Sequence, residues 1–284
     1  MSLEGRVALV SAAGRGIGQA IAVALAKAGA NVVVNSYGED TTANTVRMVE
    51  AEGVKALPFV GDITKVPVIQ ACVDAALAEF GQVDILVNNV GAGPKDAIEP
   101  TEEGPLGAEG ALWDALYAQN LRPAVLMTEA LIPVFKEQGR GNVVNISSIA
   151  GKHPLSDKML QLFTHPSYGA MKAALISHTQ TMAELLGPKN INVNAVCPGI
   201  VWTDAWRGNA ERAVEMVPEF KDQDPREWFE GIARGDYPRY FDRTPLRREQ
   251  TVEDIGNAVV FLASDAAANI TGQSLMVDGG MVKV

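Results

Sequence analysis

The 284-residue chain carries 24 basic against 34 acidic residues, and a net charge of -10 argues against nucleic acid or an anionic membrane surface as a partner. Hydrophobic residues make up 47% and charged residues 20%, an ordinary globular mix in a chain long enough for one large core. The two cysteines, Cys72 and Cys197, are far apart and lack metal-like spacing, so neither a disulfide framework nor a metal site is expected. The first strand is expected to begin near Arg6, which leaves no room for a leader. No apolar run approaches the roughly 18 residues a bilayer span needs, and the expected address is the cytoplasm.

From the N-terminus, Val7–Ser11 is the first of seven short β-branched runs that read as strands. A glycine-rich turn, Ser11-Ala-Ala-Gly-Arg-Gly-Ile-Gly18, leads into Ile17 to Ala28, whose apolar residues recur at helical spacing. Asn31–Asn35, Ala56–Val60 and Val83–Asn88 are the next strands, with a second clear helix over Ile69 to Phe80. Asn142–Ser147, Asn192–Val196 and Ser274–Val277 complete the set, and Tyr168 to Leu186 reads as a helix. Most runs are continuously apolar, as parallel strands covered on both faces are. The alternation predicts a single-domain α/β fold: a Rossmann-type doubly wound seven-stranded parallel sheet with helices on both faces.

Three long segments break the rhythm: Ala92 to Gly110, Ile149 to Pro166, and Trp202 to Thr244. The last holds Trp202, Trp206, Phe220, Trp228, Phe229, Tyr237, Tyr240 and Phe241. Ligands in such folds sit beyond the carboxyl ends of the strands, where these segments gather. Residues 202–244 are therefore read as an enlarged lid over a bulky apolar or cyclic substrate. The other reading is an accessory layer packed on itself or on a neighbouring subunit. The segment's arginines (Arg207, Arg212, Arg226, Arg234, Arg239 and Arg243) are interspersed with at least as many acids and read as solvated surface.

Two stretches carry the chemistry. The glycine turn between a strand and a helix is built to let backbone approach a phosphate, with helix amides as donors. Tyr168-Gly-Ala-Met-Lys172 puts a phenol and an ammonium one helical turn apart. A free tyrosine titrates near pH ~10; a fixed cation beside it is expected to lower that value and make it a usable acid and base at neutral pH. Ser148, or its neighbour Ser147, stands at the end of the fifth strand. His165 reads as a loop histidine, His153 and His178 carry no constellation, and Cys197 reads as a packed thiol.

Together these features resemble the short-chain dehydrogenase/reductase family, over nearly all the chain except the three long segments. Ser11, Ala12, Gly16 and Gly18 occupy the family's glycine-turn positions, with Ser11 replacing the usual threonine and Ala12 the usual first glycine. Asn88-Asn89-Val90-Gly91, Asp62 with Ile63, and Pro198-Gly199-Ile200-Val201-Trp202-Thr203 match further family segments, as do Ile270-Thr271-Gly272-Gln273 and Val277-Asp278-Gly279-Gly280. The resemblance implies a catalytic set of Asn120, Ser148, Tyr168 and Lys172. It implies that Ser11, Ala12, Arg15, Gly16, Ile17, Gly18, Ser36, Asp62, Ile63, Asn89, Gly91, Pro198, Gly199, Val201 and Thr203, with Tyr168 and Lys172, bind a nicotinamide cofactor. In this set Ser148 holds a carbonyl oxygen, Tyr168 exchanges a proton with it, Lys172 supports the phenol and the cofactor ribose, and Asn120 positions a water.

The second strand ends at Ser36 with no carboxylate there, and Arg15 is placed to meet a phosphate, so NADP(H) is favoured over NAD(H). Glu39 and Asp40 close behind pull the other way. The expected activity is interconversion of a ketone or aldehyde and an alcohol by hydride transfer. A 3-oxoacyl thioester reductase is the alternative, and a non-catalytic cofactor-sensing protein a further one. A homo-tetramer or homo-dimer is implied by the family.

Overall fold

The computed structural model describes residues 1–92, 110–242 and 244–283. Seven parallel strands form one sheet: β1 Val7–Val10, β2 Asn31–Ser36, β3 Ala56–Val60, β4 Ile85–Asn88, β5 Gly141–Ile146, β6 Ile191–Pro198 and β7 Ser274–Val277. Their spatial order is β3-β2-β1-β4-β5-β6-β7, so the chain runs outward from β1 and then returns to its other side at β4. That reversal opens a crevice beyond the carboxyl ends of β1 and β4. The expected fold and strands hold, with ends shifted by one or two residues.

Both faces of the sheet are covered because both faces are apolar. Ala8, Val10, Val32 and Val34 meet α1 (Gly16–Lys27) and α10 (Val252–Ala263) on one side. Leu9, Val33, Leu86, Val143 and Val193 meet α3 (Val66–Phe80), α5 (Arg122–Gln138) and α7 (Pro166–Leu186) on the other. α2 (Glu39–Glu50) flanks the sheet edge beside β3, with Thr42, Thr45 and Val49 buried. α7 starts two residues earlier than expected, at Pro166, because His165 caps it by accepting from the Ser167 amide. Two helices precede β5: α4 (Gly110–Asn120) stops, and α5 begins at Arg122 with Pro123 in its first turn.

A third core lies off the sheet. α6 (Asp157–Leu162), from the segment before Tyr168, and α8 (Asp204–Met216) and α9 (Pro225–Arg234), from the aromatic segment, pack around Phe163, Phe220, Trp228, Phe229 and Phe241. Residues 93–109 and Arg243 lie outside the described residues, and so does most of the loop expected over 92–110.

Candidate functional site

At the carboxyl end of β1 the chain makes the glycine turn, and β4 staples it in place. Ser11 Oγ donates to the Val87 carbonyl and accepts from the Asn89 amide at 2.8 Å. Asn89 Nδ2 donates to the carbonyls of Ser11 and Ala12. A Cβ on Gly18 would strike the Ala12 carbonyl and the Asn89 amide, so only glycine lets α1 start this close to the turn. Ala12 itself holds φ +50°, a left-handed conformation that suits the family's usual glycine better. No side chain caps α1, leaving its first amides directed at the crevice.

Around this turn, Ser36 closes the carboxyl end of β2 and is 7% exposed, with its hydroxyl 2.5 Å from where a Gly14 Cβ would stand. Arg15 reaches outward, 3.4 Å from the Tyr37 hydroxyl and 3.9 Å from Asp204 in the first turn of α8. Tyr37 is 73% exposed. Asp62, after β3, accepts from the Thr64 amide and hydroxyl, and Ile63 packs into the core under it. Glu39 and Asp40 sit in the first turn of α2, where they complement the helix dipole.

Beyond β5 and along α7 the remaining family positions converge. Ser147 and Ser148 separate in role: the Ser147 hydroxyl donates to the Lys172 carbonyl at 2.9 Å, whereas Ser148 hydrogen-bonds Tyr168 and accepts from the Ala150 amide. Lys172 is buried and donates to the Ile146 carbonyl at 3.0 Å. A Cβ on Gly91 would stand 2.7 Å from Asn120 Oδ1 and 2.8 Å from Lys172 Nζ, so these two groups share the space that glycine leaves empty. Asn120 Nδ2 is held by the carbonyls of Ala92 and Leu116. Its Oδ1, buried, has no partner among the described residues, an arrangement that suits a bound water beside Lys172.

Electrostatics correct one expectation. Burial pushes the Tyr168 phenol above the ordinary tyrosine range; the Ser148 hydrogen bond opposes this, and Cys197 adds to it. Lys172, its ammonium 5.7 Å from the Tyr168 ring centre, does not reverse the burial effect. The same burial pulls Lys172 down to about 8, with Cys197 opposing. The phenol therefore rests protonated.

These groups face a cavity of about 250 Å³. Of the expected residues, Ile17, Asn89, Gly91, Ser148, Tyr168, Lys172, Pro198, Gly199, Val201 and Thr203 line it. Ser11, Ala12, Gly16, Gly18 and Asn120 are not on its wall; Arg15, Ser36, Asp62 and Ile63 also lie outside it. The crevice thus offers uncapped helix amides and glycines that admit no Cβ, which together fit a dinucleotide.

The opposite wall was not legible from motifs. It is built by Leu155, Met159, Phe163 and Thr164 from the insert before α7, and by Trp206 and Asn209 of α8. Of the eight aromatic residues in 202–244, Trp206 alone lines the cavity. The others mostly pack on each other, as Phe220 does on Trp228 at 5.5 Å and on Tyr240 at 4.6 Å. The aromatic crowding of 202–244 thus builds mainly this third core, and Trp206 is its contribution to the cavity. Arg226 lies over the Trp202 ring and forms two hydrogen bonds to Glu249, so this arginine is structural. His165 is buried, edge-on to Trp113 and off the cavity wall. Cys197 is buried and pushed up to about 11, chiefly by burial. Gln250 was also missed: a Cβ on Gly199 would meet it and Asp278, and Gln250 accepts from the Gly199 amide.

Residues 6–213 match the family described as short chain dehydrogenase, and residues 232–282 the one described as Enoyl-(Acyl carrier protein) reductase. The 3-oxoacyl-(acyl-carrier-protein) reductase FabG of Thermotoga maritima is 31% identical over 289 residues, covering 99% of this chain and 100% of its own. Among solved structures, the L-sorbose reductase from Gluconobacter frateurii complexed with NADPH and L-sorbose superposes with a TM-score of 0.85 at 29% identity, covering 100% of this chain and 99% of that one. A 7α-hydroxysteroid dehydrogenase complexed with NADH and 7-oxo glycochenodeoxycholic acid gives 0.80 at 32% identity, covering 100% and 96%.

Proposed function

The chain belongs to the short-chain dehydrogenase/reductase family and is an NAD(P)-dependent oxidoreductase of carbonyl and alcohol groups, and on that footing we propose that Tyr168 is its acid and base. The observation that carries this is the convergence of Ser148, Tyr168, Lys172 and the orphaned Asn120 Oδ1 around Gly91. Ser148 and Tyr168 hold the substrate's carbonyl oxygen by hydrogen bonds. Tyr168, resting protonated, delivers its proton as negative charge develops there, which suits the reductive direction. Lys172 stabilises the phenolate that remains, and a water on Asn120 Oδ1 returns the proton. A nicotinamide cofactor, when bound, supplies or accepts the hydride. The glycine turn, Asn89 and the Pro198–Thr203 segment would hold it against α1.

For the cofactor, the reading is NADP(H) ahead of NAD(H). It is supported by a β2 end without a carboxylate at Ser36 and by Arg15 and Tyr37 standing outward beside it. One structural neighbour carries NADPH and another NADH, so the preference rests on these residues. Reduction of 3-oxoacyl thioesters is the second reading, favoured by the FabG relative. No helix among the described residues is long and apolar enough to cross a membrane. A homo-dimer or homo-tetramer, testable by light scattering, is part of the proposal, as is a cytoplasmic address.

The deciding experiment is Tyr168→Phe, assayed for carbonyl reduction and titrated with NADPH. Turnover should fall by about 10³-fold or more, while the cofactor Kd stays within about twofold of wild type. Substantial residual turnover would refute the assignment.

A further inference from the structure

Hydride transfer to a carbonyl held by Ser148 and Tyr168 requires the nicotinamide ring in the cavity those two groups line, and Pro198, Gly199, Val201 and Thr203 supply one stretch of its wall. The stretch runs from the end of β6, at Pro198, to Thr203, the cap of α8. Its ladder pairing with β7 ends at Pro198. What holds it beyond that point is Gln250, in the chain before α10. Gln250 Oε1 accepts from the Gly199 amide at 3.1 Å, beside the Val277 carbonyl, which accepts from the same amide at 3.0 Å. The carboxamide lies so close that a Cβ on Gly199 would stand 2.6 Å from Oε1 and 2.8 Å from Nε2. The backbone of Gln250 pairs with Val201 in an isolated parallel bridge. One residue thus grips the stretch on both sides of Ile200. Gln250 is 7% exposed and is not on the cavity wall, so it acts on the cavity only through Gly199 and Val201. Its neighbour Glu249 is fixed by two hydrogen bonds from Arg226, which lies 4.8 Å from the Trp202 ring centre and ties the same stretch to α9.

We propose that Gln250 is a positioning residue for the nicotinamide half of the cofactor. It fixes the backbone of Gly199 and Val201, so that the ring is presented to the carbonyl in one place. This rests on the carbonyl-reduction reading above. The glycine turn is held instead by Ser11 and Asn89, so the adenosine half does not depend on Gln250. A small misplacement of reacting groups by a residue outside the chemistry is enough to slow transfer severely.

The test measures by calorimetry the binding of NADPH and of 2′-phospho-ADP-ribose, which lacks the ring, with NADH and ADP-ribose as the second pair. Gln250→Met keeps the length of the side chain and removes the acceptor. It should weaken NADPH about fivefold or more and leave 2′-phospho-ADP-ribose within about twofold of wild type. The kcat for ketone reduction should fall about tenfold or more. Gln250→Glu keeps an acceptor for the Gly199 amide and should restore both. Because that amide retains the Val277 carbonyl, Gln250→Met orphans no donor, and its Tm should stay close to wild type. Should it fail to fold, Gln250→Asn, which withdraws the carboxamide by one methylene, serves instead and should show the same selective loss. Equal weakening of the cofactor and the ring-less fragment, or weakening of neither, overturns the assignment and leaves carbonyl reduction standing. A wild-type protein that binds neither NADPH nor NADH overturns both.

Discussion

Lys172→Met should stabilise the cofactor-free protein at neutral pH while abolishing turnover. Burial moves the Lys172 ammonium from 10.5 down to about 8, which corresponds to about 3 kcal/mol of unfavourable energy for holding the charge inside at pH 7. Methionine fills similar space without charge but gives up the hydrogen bond to the Ile146 carbonyl, a loss of about 1 kcal/mol. The balance of about 2 kcal/mol should raise Tm by roughly 5 °C in a chain of this size. The sign has a pH signature. Below pH 8 the lysine is protonated in both native and unfolded states, and the full cost is present. Between 8 and 10.5 the native state releases its proton before the unfolded chain does, so wild type gains stability as pH rises. Melting both proteins without cofactor from pH 7 to pH 10 should show the gap closing as pH increases. A variant less stable than wild type at pH 7, or a gap that stays constant with pH, would refute the reasoning.

Ser36→Asp places a carboxylate at the end of β2; it should weaken NADPH binding about tenfold or more while sparing NADH, read by nicotinamide fluorescence, and an unchanged NADPH affinity sinks the NADP preference. Gly91→Ala puts a methyl 2.7 Å from Asn120 Oδ1 and 2.8 Å from Lys172 Nζ, and kcat should fall about tenfold or more with the circular dichroism spectrum intact. Ala12→Gly removes a left-handed alanine at φ +50°, worth about 1–2 kcal/mol, against about 0.5–1 kcal/mol lost to glycine's freedom when unfolded. Its Tm should rise by about 1–3 °C, and a fall would mean that the methyl packs favourably.

The parts that short-range constraints dictate were readable without coordinates. Gly18 must be glycine because the Ala12 carbonyl and Asn89 stand where a Cβ would go, and such demands leave a spaced pattern in the chain. Tyr168 and Lys172 lie one helical turn apart, so their sharing a face follows from spacing alone. Depth does not follow from spacing. The neighbouring lysine suggested a lowered phenol pKa, but Tyr168 lies deep enough for burial to prevail. Nor does composition tell a wall from a core: Phe220 and Trp228 are fully buried against each other, and Trp206 alone of that group turns to the cavity.

The two walls of the cavity rest on different foundations. Beneath the catalytic face, Asn88 donates to Asn145 at 2.8 Å and Asn145 to Thr179 at 2.8 Å, joining β4, β5 and α7 through buried hydrogen bonds. A buried polar chain of this kind is specific in geometry, and breaking one link leaves the others unsatisfied. The substrate-facing wall is instead held by an aromatic cluster whose contacts are apolar and lack fixed direction. Volume-conserving exchanges within such a cluster cost little, commonly under about 1.5 kcal/mol. Leu155, Met159 and Trp206 can therefore vary without disturbing the position of Tyr168 or Lys172. On the proposed assignment of Tyr168 as acid and base, substitutions in the segments where family motifs are absent should alter substrate choice and leave the acid–base groups in place.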